Sequence, residues 1–465
     1  MQRLASQLEA DPALRFLTSR IDYERTSTVP YSQRDFRLDR MRQLLDALGN
    51  PQDSLAIVHV GGTKGKGSTA AMIASVLLSA GLRTGLYSSP HLDRVEERMM
   101  IDGVICPSDE FAALLGRLQP AVEAMDREPT PDDCGSNRPT YFEIITALAL
   151  LRFARAGVAA AVLEVGLGGR LDSTNVCQPL VSVITSISLD HTQQLGTTLA
   201  AIAGEKAGII KSRTPVVSGV VQDEPREVIA RAAQAHDCRL VQMGTDFDFS
   251  YRPPRHLETG AAPAHMDFRY RATGAAMELP DLALNLTGRH QAANAAVGIA
   301  TLLELRQQGW DIPEQAIRQG LAEVRWPARI EVLRRGPTVV LDAAHNVASI
   351  EALTQVLAES FSARRRLLVF ATTRDKDAAG MVRVLSQKFD EVIFTRYQSN
   401  PRGLDPEALA ALAANVPAAR RHICADAAAA WKLASQIAKP EDLICITGSF
   451  FIAAEMRAAM QHAGT

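Results

Sequence analysis

The chain has little that would cross-link or metal-staple a small fold. Its six cysteines (Cys106, Cys134, Cys177, Cys238, Cys424 and Cys445) are scattered through 465 residues. None stands in a C-x-x-C pair, which argues against a zinc site and a disulfide framework and points to a reducing compartment. An excess of charge of one sign is also missing. The formal net charge is −2, so no global field draws the chain to nucleic acid or to a membrane surface. Long apolar runs are missing as well. The most apolar stretch, Ile144 to Gly169, is interrupted by Arg152 and Arg155, and reads as a buried helix followed by a strand rather than a membrane span. Met1 to Phe16 carries charges throughout, without a continuous apolar segment or a cleavage pattern, so no signal peptide is read. Internal repeats and low-complexity tracts are not evident. The expectation is a cytoplasmic enzyme with reduced thiols.

What is present is an ordinary globular composition, 47% hydrophobic and 22% charged, over a length sufficient for two or three domains. Apolar runs of strand length alternate with helical stretches. Leu55 to Val60, Val158 to Val165, Leu180 to Ile187 and Pro215 to Val221 read as strands, and Ser68 to Ala80 and Thr198 to Ile210 as helices. Such alternation favours a mostly parallel sheet covered by helices. Between about 239 and 286 the pattern changes to short β-like pieces around Pro253-Pro254, an accessory sheet or loop. Alternation resumes after Trp326-Pro327 with Val339 to Leu341, Leu367 to Phe370, Val392 to Phe394 and Leu443 to Ile446. The expected fold is α/β, with a large N-terminal P-loop ATPase-like domain over 1–325 and a smaller Rossmann-like α/β domain over 326–465.

The sharpest local signal is Gly61-Gly62-Thr63-Lys64-Gly65-Lys66-Gly67-Ser68-Thr69, between a strand and a helix. Glycines there let backbone N–H groups turn around phosphate oxygens, and the helix N-terminus adds a favourable field. Lys66 would reach the terminal phosphates, and Gly65, Gly67 and Ser68 would complete the cradle. The general Walker pattern is not met strictly, because Gly67 separates Lys66 from Ser68. Glu164 ends a buried strand, where α/β sheets place ligand-binding groups. It is read either as a metal ligand or as a partner of Arg170. His191 follows the next strand, and a lone histidine there is more often structural than a ligand. Lys206, on a helix, reads by itself as a solvated surface charge.

The loop and a series of later motifs resemble the folylpolyglutamate synthases of the Mur ligase superfamily. Besides Gly-Thr-Lys-Gly-Lys-Gly-Ser-Thr, the chain carries Ser88-Ser89-Pro90-His91-Leu92, Thr140-Tyr141-Phe142-Glu143 and Glu164-Val165-Gly166-Leu167-Gly168-Gly169-Arg170-Leu171-Asp172-Ser173-Thr174-Asn175. Further along come Asp190-His191-Thr192, Gly204-Glu205-Lys206-Ala207-Gly208, Gly288-Arg289-His290-Gln291, Asp342-Ala343-Ala344-His345-Asn346, Asp375-Lys376-Asp377 and Thr447-Gly448-Ser449. They follow the family order from about residue 20 to the end. Two positions depart from it: the family usually has Asn at Lys64 and Gly at Ala343.

The resemblance implies an ATP-dependent ligase that phosphorylates a folate γ-carboxylate and adds L-glutamate, and it leaves open whether dihydropteroate is a second substrate. It implies Mg²⁺, two ions in the family arrangement, held by Ser89, Glu164 and His191. It implies that Lys206 is carbamylated, the new carboxylate helping to hold the second ion; Glu164, His191 and Lys206 are separated by 27 and 15 residues as the family requires. Asn294 resembles an adenine contact, Arg329 and Asp342 nucleotide contacts from the second domain, and His345 the histidine near the phosphates. By residue type alone, Arg329 is equally a surface cation and Asp342 a helix cap. Thr140, Tyr141, Phe142 and Glu143, with Leu171, Asp172 and Ser173, match the stretches that line the pterin pocket, although the aromatic pair is also explained as a core face. A Mur-type cell-wall ligase and a non-catalytic nucleotide-binding regulator of the same fold are the competing readings. The enzyme is expected to act as a monomer, without nucleic-acid or membrane partners.

Overall fold

The computed structural model describes residues 12–22, 38–128, 137–260, 262–272 and 276–462. Cys134 and the first eleven residues of the amino-terminal stretch lie outside them. The other cysteines are all free thiols, and no helix among the described residues is long and apolar enough to cross a membrane.

Three sheets are built from the described residues. The first has seven strands: β1 (Ile57–Gly61), β2 (Thr84–Tyr87), β3 (Met99–Ile101), β4 (Ala160–Glu164), β5 (Val181–Ile184), β6 (Val216–Ser218) and β7 (Leu240–Gln242), in the order β3-β2-β4-β1-β5-β6-β7. All pairs are parallel except β2–β3. The second is a three-stranded antiparallel sheet of β8 (Phe247–Arg252), β9 (Ala264–Tyr270) and β10 (Met277–Leu284). The third holds β11 (Glu331–Arg334), β12 (Thr338–Leu341), β13 (Arg366–Phe370), β14 (Glu391–Phe394), β15 (Arg421–Ile423) and β16 (Leu443–Thr447), in the order β11-β12-β16-β13-β14-β15. It is parallel except at β11–β12. The architecture is the α/β class read from the alternation. The stretch 239–286 divides, however: its first strand, β7, is the edge of the first sheet, and only β8 to β10 form the accessory sheet.

Strand periodicity explains why both large sheets are covered on two faces. Along β4, Ala160 and Val162 join a core with Val58 and Val60 of β1. The alternate residues Ala161 and Leu163 join another core with Ile57 and Tyr87. Successive strand side chains point to opposite faces, so near-continuous apolar runs mark strands buried on both sides. The third sheet repeats this, with Val340, Leu368 and Phe370 on one side and Val339, Leu341 and Leu367 on the other. Helices α1 (Lys66–Ser79), α2 (Tyr141–Ala156), α3 (Leu199–Ala207) and α4 (Arg289–Gln307) cover the first sheet, and α5 (Val347–Ser360) follows β12.

The order of the first sheet decides where a ligand goes. From β1 the chain crosses to β2 on one side, and from β5 it crosses to β6 on the other. Adjacent strands whose connections leave in opposite directions open a crevice at their carboxyl ends. The loops after β1 and β5 meet there: Thr63 N–H donates to Ser186 O at 2.7 Å, and Thr185 N–H to Gly61 O at 3.0 Å.

Candidate active site

The loop after β1 ends in Gly65, the residue before α1, whose φ of +82° is left-handed. A side chain there would be strained and would also run into the Asn294 amide, 2.1 Å from where its Cβ would stand. Gly67, the position that departs from the general phosphate-loop pattern, is explained by contact. A Cβ at Gly67 would lie 3.1 Å from Glu164 Oε2 and 3.2 Å from the Trp326 indole. The extra glycine lets the first turn of α1 approach both a buried carboxylate and the segment that leads into the third sheet. Lys66 and Ser68 follow in that turn, with Ser68 buried and Lys66 partly exposed. The loop is braced from beneath: Lys64 O accepts from Thr185 Oγ1 at 2.7 Å and from Ser186 Oγ at 3.0 Å.

Glu164 is the last residue of β4 and is 5% exposed. Burial raises its carboxyl above the usual range, while Lys66, the Ser89 N–H and the cations Arg329 and Arg98 pull it back. Ser89 N–H donates to Glu164 Oε2 at 3.2 Å, so Ser89 and Glu164 are adjacent. Arg170 is not the partner of Glu164, as one reading had it. It pairs with Glu205 at 2.8 Å, because the loop after β4 carries it past the strand end to α3.

Lys206 overturns the expectation of a solvated helix residue: it is 4% exposed. Its Nζ donates to Gly62 O at 2.9 Å, on the phosphate loop. Burial, with Lys66 as a like charge, lowers the amine from 10.5 to about 7. His191 is the residue before a short helical turn, with φ +50°, and as a whole residue it is exposed. The surrounding atoms and the nearby lysines nevertheless hold its imidazole down to about 4, against the pull of Asp190.

From the third sheet, His345 enters on the turn between β12 and α5. Its Nδ1 donates to Ala343 O at 2.9 Å, and burial holds the ring neutral, at about 4. That bond assigns the proton to Nδ1 and leaves Nε2 as the acceptor. Asp342 is neither a helix cap nor free to reach outward. Its two oxygens accept Ile330 N–H at 2.9 Å and Ala344 N–H at 2.8 Å, and α5 is capped by Asn346 instead. Arg329 is not a plain surface cation: its guanidinium lies 4.9 Å from the Phe450 ring centroid, with Asp342 and Glu164 as its opposing charges. Asn294 on α4 donates to Gln291 Oε1 at 3.0 Å and packs against Gly65.

Sequence reasoning assigned no role to Lys376. Its Nζ lies 3.0 Å from Asp190 Oδ1, joining the loop after β5 to the third-sheet domain across 186 residues of chain. Both residues stood in recognised motifs, but no local signal couples two positions so far apart.

The second set of predicted residues surrounds the start of α2. Thr140 and Glu143 form a capping box, with Thr140 N–H donating to Glu143 Oε2 at 2.7 Å. Arg40 Nε donates to both Glu143 oxygens at 2.9 Å in a buried ion pair. Asp172 likewise points inward, accepting from Gly166 N–H at 3.0 Å and Leu167 N–H at 2.9 Å. Burial raises its carboxyl, and its hydrogen bonds oppose the rise. Phe142, partly exposed, lies against Gly166 and 6.1 Å from the Tyr87 ring. Leu171 is 8% exposed, Ser173 is partly buried, and Tyr141 lies under the Arg98 guanidinium at 5.5 Å. A cavity of about 680 Å³ lined by Arg170, Lys211, Arg213 and His236 shares none of the phosphate-loop residues.

The site is thus a phosphate loop, a buried carboxylate and a buried amine on one domain, facing a neutral histidine and an arginine on the other. Two family profiles match the chain: the Mur ligase middle domain over residues 60–302, and the Mur ligase glutamate ligase domain over residues 328–450. The dihydrofolate synthase/folylpolyglutamate synthase of Bacillus subtilis is 38% identical over 350 residues, covering 75% of this chain and 78% of that protein. The structure of Mycobacterium tuberculosis folylpolyglutamate synthase complexed with ADP superimposes with a TM-score of 0.85 at 33% identity, over 98% of each chain. That of Escherichia coli FolC in complex with DHPP and ADP gives 0.80 at 30% identity, over 98% of this chain and 99% of the other.

Proposed function

Because this chain belongs to the folylpolyglutamate synthase/dihydrofolate synthase family of Mur ligases, we propose that its cleft adds L-glutamate to the γ-carboxylate of a folate. It is an ATP-dependent carboxylate–amine ligase. The observation that carries the reading to the residues is the buried pair Glu164 and Lys206 beside one phosphate loop, with Lys206 bonded to that loop's own backbone. A cell-wall ligase or a silent nucleotide binder does not account for this set together with the relatives found. Dihydropteroate is proposed as a second substrate, since activation of either carboxylate uses the same chemistry.

A carboxylate is a poor electrophile. Transfer of the γ-phosphoryl group of ATP makes an acyl phosphate; the glutamate amine attacks its carbonyl, and phosphate leaves. The protein's task is positioning and charge neutralisation. The N–H groups of Gly65, Gly67 and Ser68 cradle the phosphates, and Lys66 neutralises them. Asn294 serves the nucleotide base. Arg329 serves the nucleotide from the other domain, and Asp342 holds the backbone of Ile330 beside it. His345, neutral with Nε2 as acceptor, stands by the transferred phosphate. Tyr141, Phe142, Leu171 and Ser173 line the ring of the folate, while Thr140, Glu143 and Asp172 hold that wall in place.

The residues present fit Mg²⁺. Glu164 is a buried hard-oxygen donor beside Ser89 and the first turn after the phosphate loop, and Mg²⁺ takes few protein ligands and keeps its waters. Ser89, Glu164 and His191 would hold it, and bound there it would shield phosphate charge. Lys206 is proposed to carry a carbamate. An amine lowered to about 7 is about half unprotonated at neutral pH, and attack on CO₂ requires that free-amine form. The carbamate N–H can still donate to Gly62 O, while its oxygens supply a second anionic site. We place the enzyme in the cytoplasm as a monomer of two domains, 1–325 and 326–465.

The test is a substrate panel: dihydropteroate and reduced folates, each with ATP, Mg²⁺ and glutamate, following phosphate release and product mass. Lys66→Ala and Glu164→Gln serve as controls, the first losing turnover and the second needing far more Mg²⁺. ATP turnover that requires no folate or pteroate in the panel would overturn the reading.

A further inference from the structure

Two buried side chains outside the cleft are connected to its wall. His59 on β1 and Thr174 are both 0% exposed, and His59 Nε2 lies 2.8 Å from Thr174 Oγ1. Proton counting gives each bond its direction. Thr174 has one hydroxyl proton, and ionised Asp172 can only accept, so Thr174 Oγ1 donates to Asp172 Oδ1 at 2.5 Å. Thr174 must then accept from His59, which makes the imidazole the neutral Nε2–H tautomer. Nδ1 is left as a buried acceptor with no partner. Burial, with Lys211 nearby, holds the ring down to about 3, so no second proton is taken up there at neutral pH.

The chain of bonds continues through the other Asp172 oxygen to the N–H groups of Gly166 and Leu167, the turn just beyond Glu164. Gly166 is in turn where Phe142 rests: a Cβ on it would be 2.5 Å from Phe142 Cζ. The central strand that carries the phosphate loop is therefore tied, through His59, Thr174 and Asp172, to the wall made by Phe142 and the 166–173 loop. A leucine would fill the His59 position without an unsatisfied nitrogen, so the histidine is a poor choice for packing alone.

We propose that His59 and Thr174 are positioning residues for the acceptor substrate. Without touching it, they hold the 166–173 loop against Phe142 at the spacing a flat pteridine ring needs. This rests on the assignment of Phe142, Leu171 and Ser173 to the folate side. Thr174→Val removes the hydroxyl at nearly constant volume, Thr174→Ser restores it, and His59→Leu removes the donor together with the orphaned nitrogen.

Binding of dihydropteroate and tetrahydrofolate is titrated without glutamate, KM is measured for folate, ATP and glutamate, and melting temperature is recorded. Thr174→Val is expected to weaken pteridine binding and raise the folate KM about tenfold, because the buried hydroxyl's bonds to Asp172 and from His59 are both lost. The KM values for ATP and glutamate should stay within about twofold, and Thr174→Ser should bind like wild type. His59→Leu should weaken the same ligands without lowering the melting temperature. Equal pteridine binding by wild type and Thr174→Val overturns the positioning role while leaving the substrate reading intact. So does a fall in melting temperature with all three KM values rising together. Wild-type protein that binds neither pteridine overturns the substrate reading and the inference with it.

Discussion

Lys206 offers a prediction in which stability and activity move in opposite directions. The drop of its amine from 10.5 to about 7 means that the folded site penalises the charged form by about 4–5 kcal/mol, at about 1.4 kcal/mol per pH unit. The sign follows from proton binding. Between pH 7 and 10.5 the unfolded chain holds a proton that the folded chain has lost, so stability rises with pH across that window. Below pH 7 both states are protonated and the full penalty stands. Lys206→Met removes the penalty but leaves Gly62 O without its 2.9 Å donor, a loss of about 1–3 kcal/mol. At pH 7 the variant should therefore be more stable than wild type by about 1–4 kcal/mol, and near pH 10.5 it should be less stable by about 1–3. Denaturant unfolding at steps from pH 6 to 10.5, in buffer free of metal and CO₂, reads the difference directly. Glutamate ligation should be lost in Lys206→Met and in Lys206→Arg, whose guanidinium cannot be carbamylated. A stability difference that stays flat with pH would refute the buried-amine reasoning. A fully active Lys206→Arg protein would refute the carbamate.

Gly67→Ala must push Trp326 or Glu164 by a few tenths of an ångström; it should destabilise by about 1–2 kcal/mol and cut ATP turnover, whereas unchanged kcat would show the contact to be slack. Glu143→Gln replaces the buried carboxylate that accepts from Arg40 at 2.9 Å by a neutral amide, and calorimetry should find a loss of about 1–3 kcal/mol, with less than about 0.5 counting against a structural role. Asp190→Asn removes the ion pair to Lys376 between the domains; kcat for ligation should fall about tenfold or more with the melting temperature nearly constant, since the pair spans the cleft rather than a core. Equal kcat in that variant would show that the pair plays no part in closing the site.

The elements were legible wherever a local pattern has a single structural solution. The β1 run followed by Gly61 to Thr69 could hardly be other than a strand, a phosphate loop and a helix, because glycine spacing and apolar length both act over a few residues. β2 and β3 were not anticipated: Thr84–Tyr87 and Met99–Ile101 do not stand in apolar runs as long as those around β5 and β6. Arg170 misled for a related reason, since nearness in sequence to Glu164 says nothing about which way a Gly-rich loop carries the side chain.

Composition, the run of strands and the chemistry of the loop followed from the chain alone, since each depends on residues a few positions apart. Burial does not. Whether Lys206 is a solvated cation or a buried amine bonded to the phosphate loop depends on which strand lies beside which, and so on a sheet order that places β1 between β4 and β5. The same order brings Asp190 to the cleft, where Lys376 can reach it from the other domain. It also stacks His59 under the loop that follows Glu164. These are contacts between residues brought together by packing, and their energies exist only once water has been excluded from the space between them.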